Sequence, residues 1–314
     1  MDFSIIIPAK NEEKNIQQCL QSIATIAYPS DKYEVLLVDN GSTDKTVAVA
    51  ESFGVKVFIY PELTISGLRN YAAKKAKGKI LAFLDADCTV FPDWLGAASA
   101  WLDHEDVCCF GSPPEPPADG TWVQKSWFLV RGKSSIVEDV EWLESMNMFV
   151  RKNIFDVING FDESLQTCED YDLSIRLKAH GRIVADQRIR AVHHGEAATI
   201  PHFYRKESWR GISNMKGLFQ HGFHWQEVPS LLIPVVYLLC IVVTLFLAVA
   251  LLAGAEIVSG GGFIVWLMIW QLPVLALAFY KGSAAASISL KFGLYLLFNL
   301  YFLARARAMF HFRS

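Results

Sequence analysis

Asp85 and Asp87 stand one small residue apart, directly after the apolar run Ile80-Leu81-Ala82-Phe83-Leu84. Two carboxylates leaving a buried strand end at that spacing offer hard oxygen ligands to a divalent cation. Such a cation also binds phosphate oxygens, so Asp85-Ala86-Asp87 is expected to hold a metal and, through it, a diphosphate. The same pair in a solvated loop would carry no function, but here Val90-Phe91-Pro92-Asp93-Trp94 resumes the fold immediately afterwards.

Other residues add to this chemistry. Asp39 ends the run Val35-Leu36-Leu37-Val38 and is placed to accept hydrogen bonds from a base or ribose, whereas Asp44 reads as a helix N-cap. Arg69 and Asn70 lie in a basic helix; the lysines at 74, 75 and 77 form a solvated face, and Arg69, near the helix start, could reach a phosphate. Glu169-Asp170 opens a helix, where carboxylates serve as ordinary N-terminal capping or where one of them acts as general base toward an acceptor hydroxyl. His193-His194 follows Ile189 to Val192, and with a metal already argued, one of the two becomes a candidate ligand.

The elements that must position these groups alternate. Ile5-Ile6-Ile7, Val35 to Val38, Val55 to Ile59 and Ile80 to Leu84 read as buried parallel strands, separated by helix-compatible stretches such as Ser66 to Lys77. That pattern predicts an α/β sheet with the site at the carboxyl ends of its strands, where Ala9 to Glu12, Asp39 to Asp44 and Asp85 to Asp87 converge. The proline-rich stretch from Ser112 to Gly120 is expected to be a mobile loop, and the aromatic segment to about Glu144 an amphipathic helix packing on the sheet or, alternatively, an acceptor-binding surface.

The chain has 314 residues with a net charge of −3. From Glu227 onward only Glu227, Glu256, Lys281, Lys291, Arg305, Arg307 and Arg313 are charged, so that part is membrane material and the part before it is net acidic. An acidic domain excludes a nucleic acid held by bulk charge. Apolar segments at 229–253 and 263–280 are long enough to cross a hydrocarbon core of about 30 Å. A third, 284–303, is interrupted by Lys291, and its crossing would put Arg305, Arg307 and Arg313 outside. Six cysteines without a CxxC pair, and a start that runs directly into a strand, predict a cytoplasmic domain over 1–226 on a membrane anchor over 227–314. Arg205, Lys206, Arg210 and Lys216 read as a juxtamembrane basic belt attracted to anionic lipid.

Taken in order, Pro8-Ala9-Lys10-Asn11-Glu12-Glu13, Val38 to Asp44, Gly67-Leu68-Arg69-Asn70, Asp85-Ala86-Asp87 and Asn159-Gly160-Phe161-Asp162 leading to Glu169-Asp170-Tyr171-Asp172 resemble family 2 glycosyltransferases of the GT-A fold. The resemblance covers residues 2 to about 200. It implies a Rossmann-like nucleotide-sugar-binding domain in which Asp39 contacts the nucleobase, Asp85 the ribose and Asp87 a Mg2+ or Mn2+ ion. Pro8, Ala9, Asn11, Glu12, Arg69 and Ala86 complete the donor site, and Asp170 is the catalytic base of an inverting transfer. Where processive members carry QxxRW, this chain reads Tyr204-Arg205-Lys206-Glu207-Ser208-Trp209-Arg210, which argues against polymer export. The expectation is transfer of one sugar, from a UDP-sugar, to a lipid-linked or other membrane-associated hydroxyl in cell-surface glycan synthesis. The alternatives are a polyprenyl-phosphate glycosyl synthase and a catalytically silent membrane scaffold.

Overall fold

The computed structural model describes residues 1–132, 135–165, 167–221, 228–282 and 286–310. Its strands are β1 (Phe3–Ala9), β2 (Tyr33–Asp39), β3 (Lys56–Ile59), β4 (Ile80–Leu84), β5 (Cys88–Val90), β6 (Val107–Gly111), β7 (Val137–Asp139), β8 (Asn147–Arg151), β9 (Arg182–Asp186) and β10 (Ala191–His193). The helices are α1 (Ile16–Ala24), α2 (Thr46–Ser52), α3 (Ile65–Lys75), α4 (Trp94–Ser99), α5 (Trp122–Phe128), α6 (Lys152–Val157), α7 (Glu169–Leu177), α8 (Ile200–His221), α9 (Val228–Leu252), α10 (Gly260–Lys281) and α11 (Ile288–Phe310).

The chain divides into two compact units, Met1–Ala118 with Lys133–Glu196, and Asp119–Gly132 with Ala197–Ser314. The boundary expected at 226/227 lies outside the described residues, as do the start of the 284–303 segment, the side chain of Lys216 and all of Arg313.

In the first unit an eight-stranded sheet runs in the order β3-β2-β1-β4-β8-β6-β9-β7. Every residue of β1 is buried because alternate side chains feed two cores: Ile5 and Ile7 pack with Ile16, Leu20 and Trp94, while Ile6 packs with Leu68, Ala72 and Phe155 on the other face. The strands β3, β2, β1 and β4 are mutually parallel, and β8 joins β4 antiparallel. After β3 the chain returns to the opposite side of β1 to form β4, so the strand order reverses between β1 and β4. Loops diverge at such a switch point and leave a crevice at the carboxyl ends.

The proline-rich stretch differs from expectation. Glu115 bridges to Val192, its N–H donates to the Ala191 carbonyl at 2.7 Å, its own carbonyl accepts from His193 N–H at 3.0 Å, and its carboxylate pairs with Arg190 at 2.6 Å. Prolines prevent helix there, but the edge of β10 supplies partners that hold the loop. The aromatic segment also differs, because Val123 and Trp127 of α5 join the core of the second unit, with Phe203, Leu294, Leu297 and Phe298. In that unit, 232–252, 260–281 and 288–308 are each long and apolar enough to cross a membrane.

Candidate active site

The loop after β1 and the loop after β2 are locked together. Asn11, in left-handed conformation at φ 55°, accepts from Thr43 N–H at 2.9 Å, and its own N–H donates to Ser42 Oγ at 2.8 Å. Asp39 is buried at the tip of β2 and accepts from the Ser42 N–H at 2.7 Å and from the Ser42 hydroxyl. Its carboxylate therefore shapes the turn as well as standing where a base contact was expected. Glu12 accepts from Asn15 at 2.7 Å, and burial, reinforced by the charges of Asp87 and Asp85, pushes its carboxyl above the usual range. Asp44 accepts from Thr46 N–H at 3.0 Å, but Lys45 and not Asp44 is the N-cap of α2, so this carboxylate holds the turn before the helix instead of capping it.

Where β1 and β4 part, an open cleft of about 280 Å³ is lined by Pro8, Ala9, Lys10, Glu12, Asn40, Ile65, Leu68, Asp85, Ala86 and Asp87. Six of the expected donor residues thus share one cavity. Lys10 and Asn40 were not singled out from the sequence, although each adjoins a residue that was. They meet across the mouth, Lys10 Nζ donating to Asn40 Oδ1 at 2.8 Å, and the Asn40 amide also holds the loop before α3 through the Leu63 carbonyl at 2.7 Å.

Arg69 differs from expectation. Its side chain is only 1% exposed, and it donates through Nη2 to Asp85 at 2.8 Å and through Nη1 to Glu169 at 2.9 Å. A guanidinium spent on two carboxylates is a brace between β4 and α7 rather than a group reaching a phosphate. Burial raises the Asp85 carboxyl, opposed by Arg69 beside it.

Asn70, the next residue, donates to the Phe161 carbonyl and to Glu163, both at 2.9 Å, and accepts from Phe161 N–H at 2.9 Å. Gly160 lies at φ 68°, and a Cβ there would meet Asn70 Oδ1 at 2.4 Å, so the Asn159-Gly160-Phe161 turn is required for α3 to anchor the chain leading into α7.

Asp170 lies in the first turn of α7. Burial, then the charges of Glu169 and Glu144, push its carboxyl up to about 7, against the opposing effects of the Tyr171 N–H and Arg69. A carboxylate at that value suits proton abstraction near neutral pH. Tyr171 stands edge-on to Trp142, with ring centroids 6.2 Å apart.

The two histidines separate. His193 ends β10, which pairs antiparallel with β5 in the register His193 to Cys88, and its Nε2 lies 3.3 Å from Asp87 Oδ2. His194 turns the other way to Thr89 Oγ1 at 3.0 Å, so of the pair only His193 accompanies Asp87 in a possible ligand cluster. Cys88 also falls within that cluster, and without an ion burial and the nearby charges of Asp87 and Asp85 push its thiol well above the usual range. The buried Nδ1 of His193 finds no hydrogen-bond partner among the described residues. Carboxylate plus imidazole fits a divalent cation of intermediate hardness, Mn2+ better than Mg2+.

Gly195 was missed from the sequence. A Cβ there would stand 1.7 Å from Asp87 Oδ2 and 3.1 Å from His193 Nε2. Only glycine lets that carboxylate lie where it does, and a glycine directly after paired histidines was the available signal.

The sequence profile described as Glycosyl transferase family 2 matches residues 4–161. Glycosyltransferase AglE of Haloferax volcanii is 34% identical over 172 residues, 52% of this chain and 56% of its own length. Beta-monoglucosyldiacylglycerol synthase of Synechocystis is 26% identical over 198 residues, 56% of this chain and 40% of its own. The chain spans little more than half the length of the curated relatives it matches, or less. Among solved structures, mannosyltransferase PcManGT from Pyrobaculum calidifontis, in complex with GDP-Man and Mn2+, superposes with a TM-score of 0.64 at 18% identity, covering 98% of this chain and 87% of that one. TarS 1–349 of S. aureus in complex with UDP-GlcNAc does so with a TM-score of 0.51 at 18% identity, covering 100% of this chain and 92% of that one. At such identities the likeness is one of fold.

Proposed function

Because the chain belongs to glycosyl transferase family 2 and has the GT-A fold, we propose that it moves one sugar from a nucleotide-sugar to a membrane-associated hydroxyl acceptor, inverting the anomeric carbon. The donor is a UDP-sugar, consistent with the UDP-GlcNAc complex of the TarS relative. The observation that carries this reading is the cleft itself, in which Asp85-Ala86-Asp87 and the loop after β1 line one cavity at the sheet's switch point. Asp39 and Asp85 take the nucleoside, and Asp87 with His193 would hold Mn2+ or Mg2+. Such a cation, when bound, supplies positive charge against the departing diphosphate.

Asp170 removes the acceptor proton as the new glycosidic bond forms, and the nucleoside diphosphate leaves from the opposite face, so no covalent intermediate is needed. Its carboxyl, raised to about 7, favours a hydroxyl acceptor over a polyprenyl phosphate, which is already ionised and has no proton to lose. Arg69 neutralises Glu169 and Asp85 on either side, fixing both ends of the site. The apolar helices of the second unit support an integral membrane protein; on this reading its catalytic unit is cytoplasmic and acts on a lipid-linked glycan.

The test is transfer. Purified protein is incubated with Mn2+, isotopically labelled nucleotide-sugars and extracted membrane lipids, and label in the lipid fraction is counted. Label from one donor is expected in a product released by glycosidase. No transfer from any donor would count against the reading, and exclusive transfer to polyprenyl phosphate would replace the acceptor.

A further inference from the structure

Three helices of the second unit have the length and composition to cross a bilayer, yet their partners divide them. Antiparallel α9 and α10 hold each other through Trp266, which donates to Thr244 at 2.8 Å, and through the Tyr237 and Trp270 rings, whose centroids lie 5.2 Å apart. Both present large exposed apolar side chains, among them Leu239, Leu245 and Val249 on α9 and Ile264, Ile269 and Leu272 on α10.

The partners of α11 are different. At its first half it meets α5, where a Cβ on Gly293 would stand 2.3 Å from Ser126 Oγ and 3.1 Å from Trp122. It also packs on the hairpin, where the Phe292 and Phe279 rings lie 5.6 Å apart, Asn299 accepts from Gln271 at 3.0 Å, and the Phe302 and Tyr237 rings lie 5.3 Å apart. Its last turns lie on α8: Arg305 donates to Glu207 at 3.0 Å, a Cβ on Gly211 would meet Ala308 at 2.7 Å, and the Arg307 guanidinium lies 6.0 Å from the Tyr204 ring.

The helix α8 cannot lie in hydrocarbon, because Arg205, Lys206, Glu207 and Arg210 fall within six residues of one another. Nor can it lie on the far side. It ends at His221 and α9 begins at Val228, and the chain between, even fully extended, reaches roughly 25 Å, short of a bilayer with its headgroups. If α11 spanned, Arg305 would end about 30 Å from α8, yet it is paired with the buried Glu207.

We infer that α11 is not a third span but an interfacial helix, lying with α5 and α8 on the side where α9 begins, and that the unit crosses the bilayer only twice. Ile288, Phe292 and Leu296 are exposed four residues apart, forming one apolar stripe on α11 that dips into the headgroup and acyl boundary. The exposed Arg205 and Arg307 face anionic headgroups. The positive end of α11 then lies with the basic belt of α8, removing the charge conflict that a third crossing creates.

The test reads sidedness. Single cysteines replace Arg205, Glu256 or Arg307 in a chain with Cys168 and Cys240 changed to alanine, and oriented vesicles are labelled with an impermeant maleimide. Arg205→Cys and Arg307→Cys are expected to react from one side and Glu256→Cys, between α9 and α10, from the other; labelling of Arg307→Cys together with Glu256→Cys overturns the inference. As an independent readout, nitroxides at positions 288, 292 and 296 are measured for depth. Equal shallow depths support an interfacial helix, and a descent of about 6 Å per step, the rise of four helical residues, refutes it.

Discussion

Replacing Asp170 by Asn separates function from stability. The carboxyl rises from 3.8 to about 7 on folding, so the folded protein resists its ionisation more than the unfolded chain does. For an acid raised in this way, the folded state loses stability as pH climbs from the unfolded value through the folded one, and the loss is complete above about 7. About three pH units at about 1.4 kcal/mol each give about 4 kcal/mol as an upper bound, which solvent reaching this half-buried group reduces toward 1 to 2. Asn keeps the shape and can still accept the Tyr171 N–H but never ionises, so the variant's advantage in melting temperature is expected to grow from pH 5 upward and to level off at several degrees above pH 7. Its transfer rate is expected to fall about 10²- to 10⁴-fold, the range for loss of a general base. Thermal unfolding in detergent across pH 5 to 8, with initial rates on the same samples, measures both. A variant that retains activity, or gains no stability at high pH, refutes the assignment of Asp170 as a carboxylate held near neutrality for proton abstraction.

The charges around that base make the acid limb of kcat/KM, expected near pH 7, movable in both directions. Glu169→Gln removes a negative neighbour and is expected to shift the limb down, whereas Arg69→Gln removes a positive one and shifts it up. Gly195→Ala, whose methyl would collide with Asp87, is expected to weaken Mn2+ activation about 10- to 100-fold while the circular dichroism spectrum stays unchanged. Glu207→Ala leaves Arg305 and Arg210 without their buried carboxylate and is expected to destabilise the second unit by about 3 to 5 kcal/mol, measured as a lower melting temperature, with Glu207→Gln less severe.

The parallel strands and the acidic switch-point loops were legible because buried strands announce themselves as short aliphatic runs ending in polar residues. Asp85 and Asp87 could be read locally for the same reason. Arg69 could not, since its partner Glu169 is a hundred residues away and only the packing of α3 against α7 brings them together. The choice between His193 and His194 depended on the antiparallel register of β10 with β5, which neither three-residue strand signals alone. Glu115 sits among prolines that forbid a helix, but sequence gives no sign that Arg190 and the backbone of β10 wait to hold it. Trp127 reads from the sequence as part of an amphipathic helix, while the core it enters is built from residues 70 and more positions later.

The most direct measurement is donor binding itself. Detergent-purified protein, wild type and Asp87→Ala, is heated with a panel of UDP- and GDP-sugars in the presence of Mn2+ or of a chelator. Metal-dependent stabilisation of wild type by one nucleotide-sugar, reduced by chelator and absent in Asp87→Ala, is the predicted result. Stabilisation that ignores metal and survives Asp87→Ala, or no stabilisation by any nucleotide, would contradict a metal-assisted glycosyl transfer at this cleft.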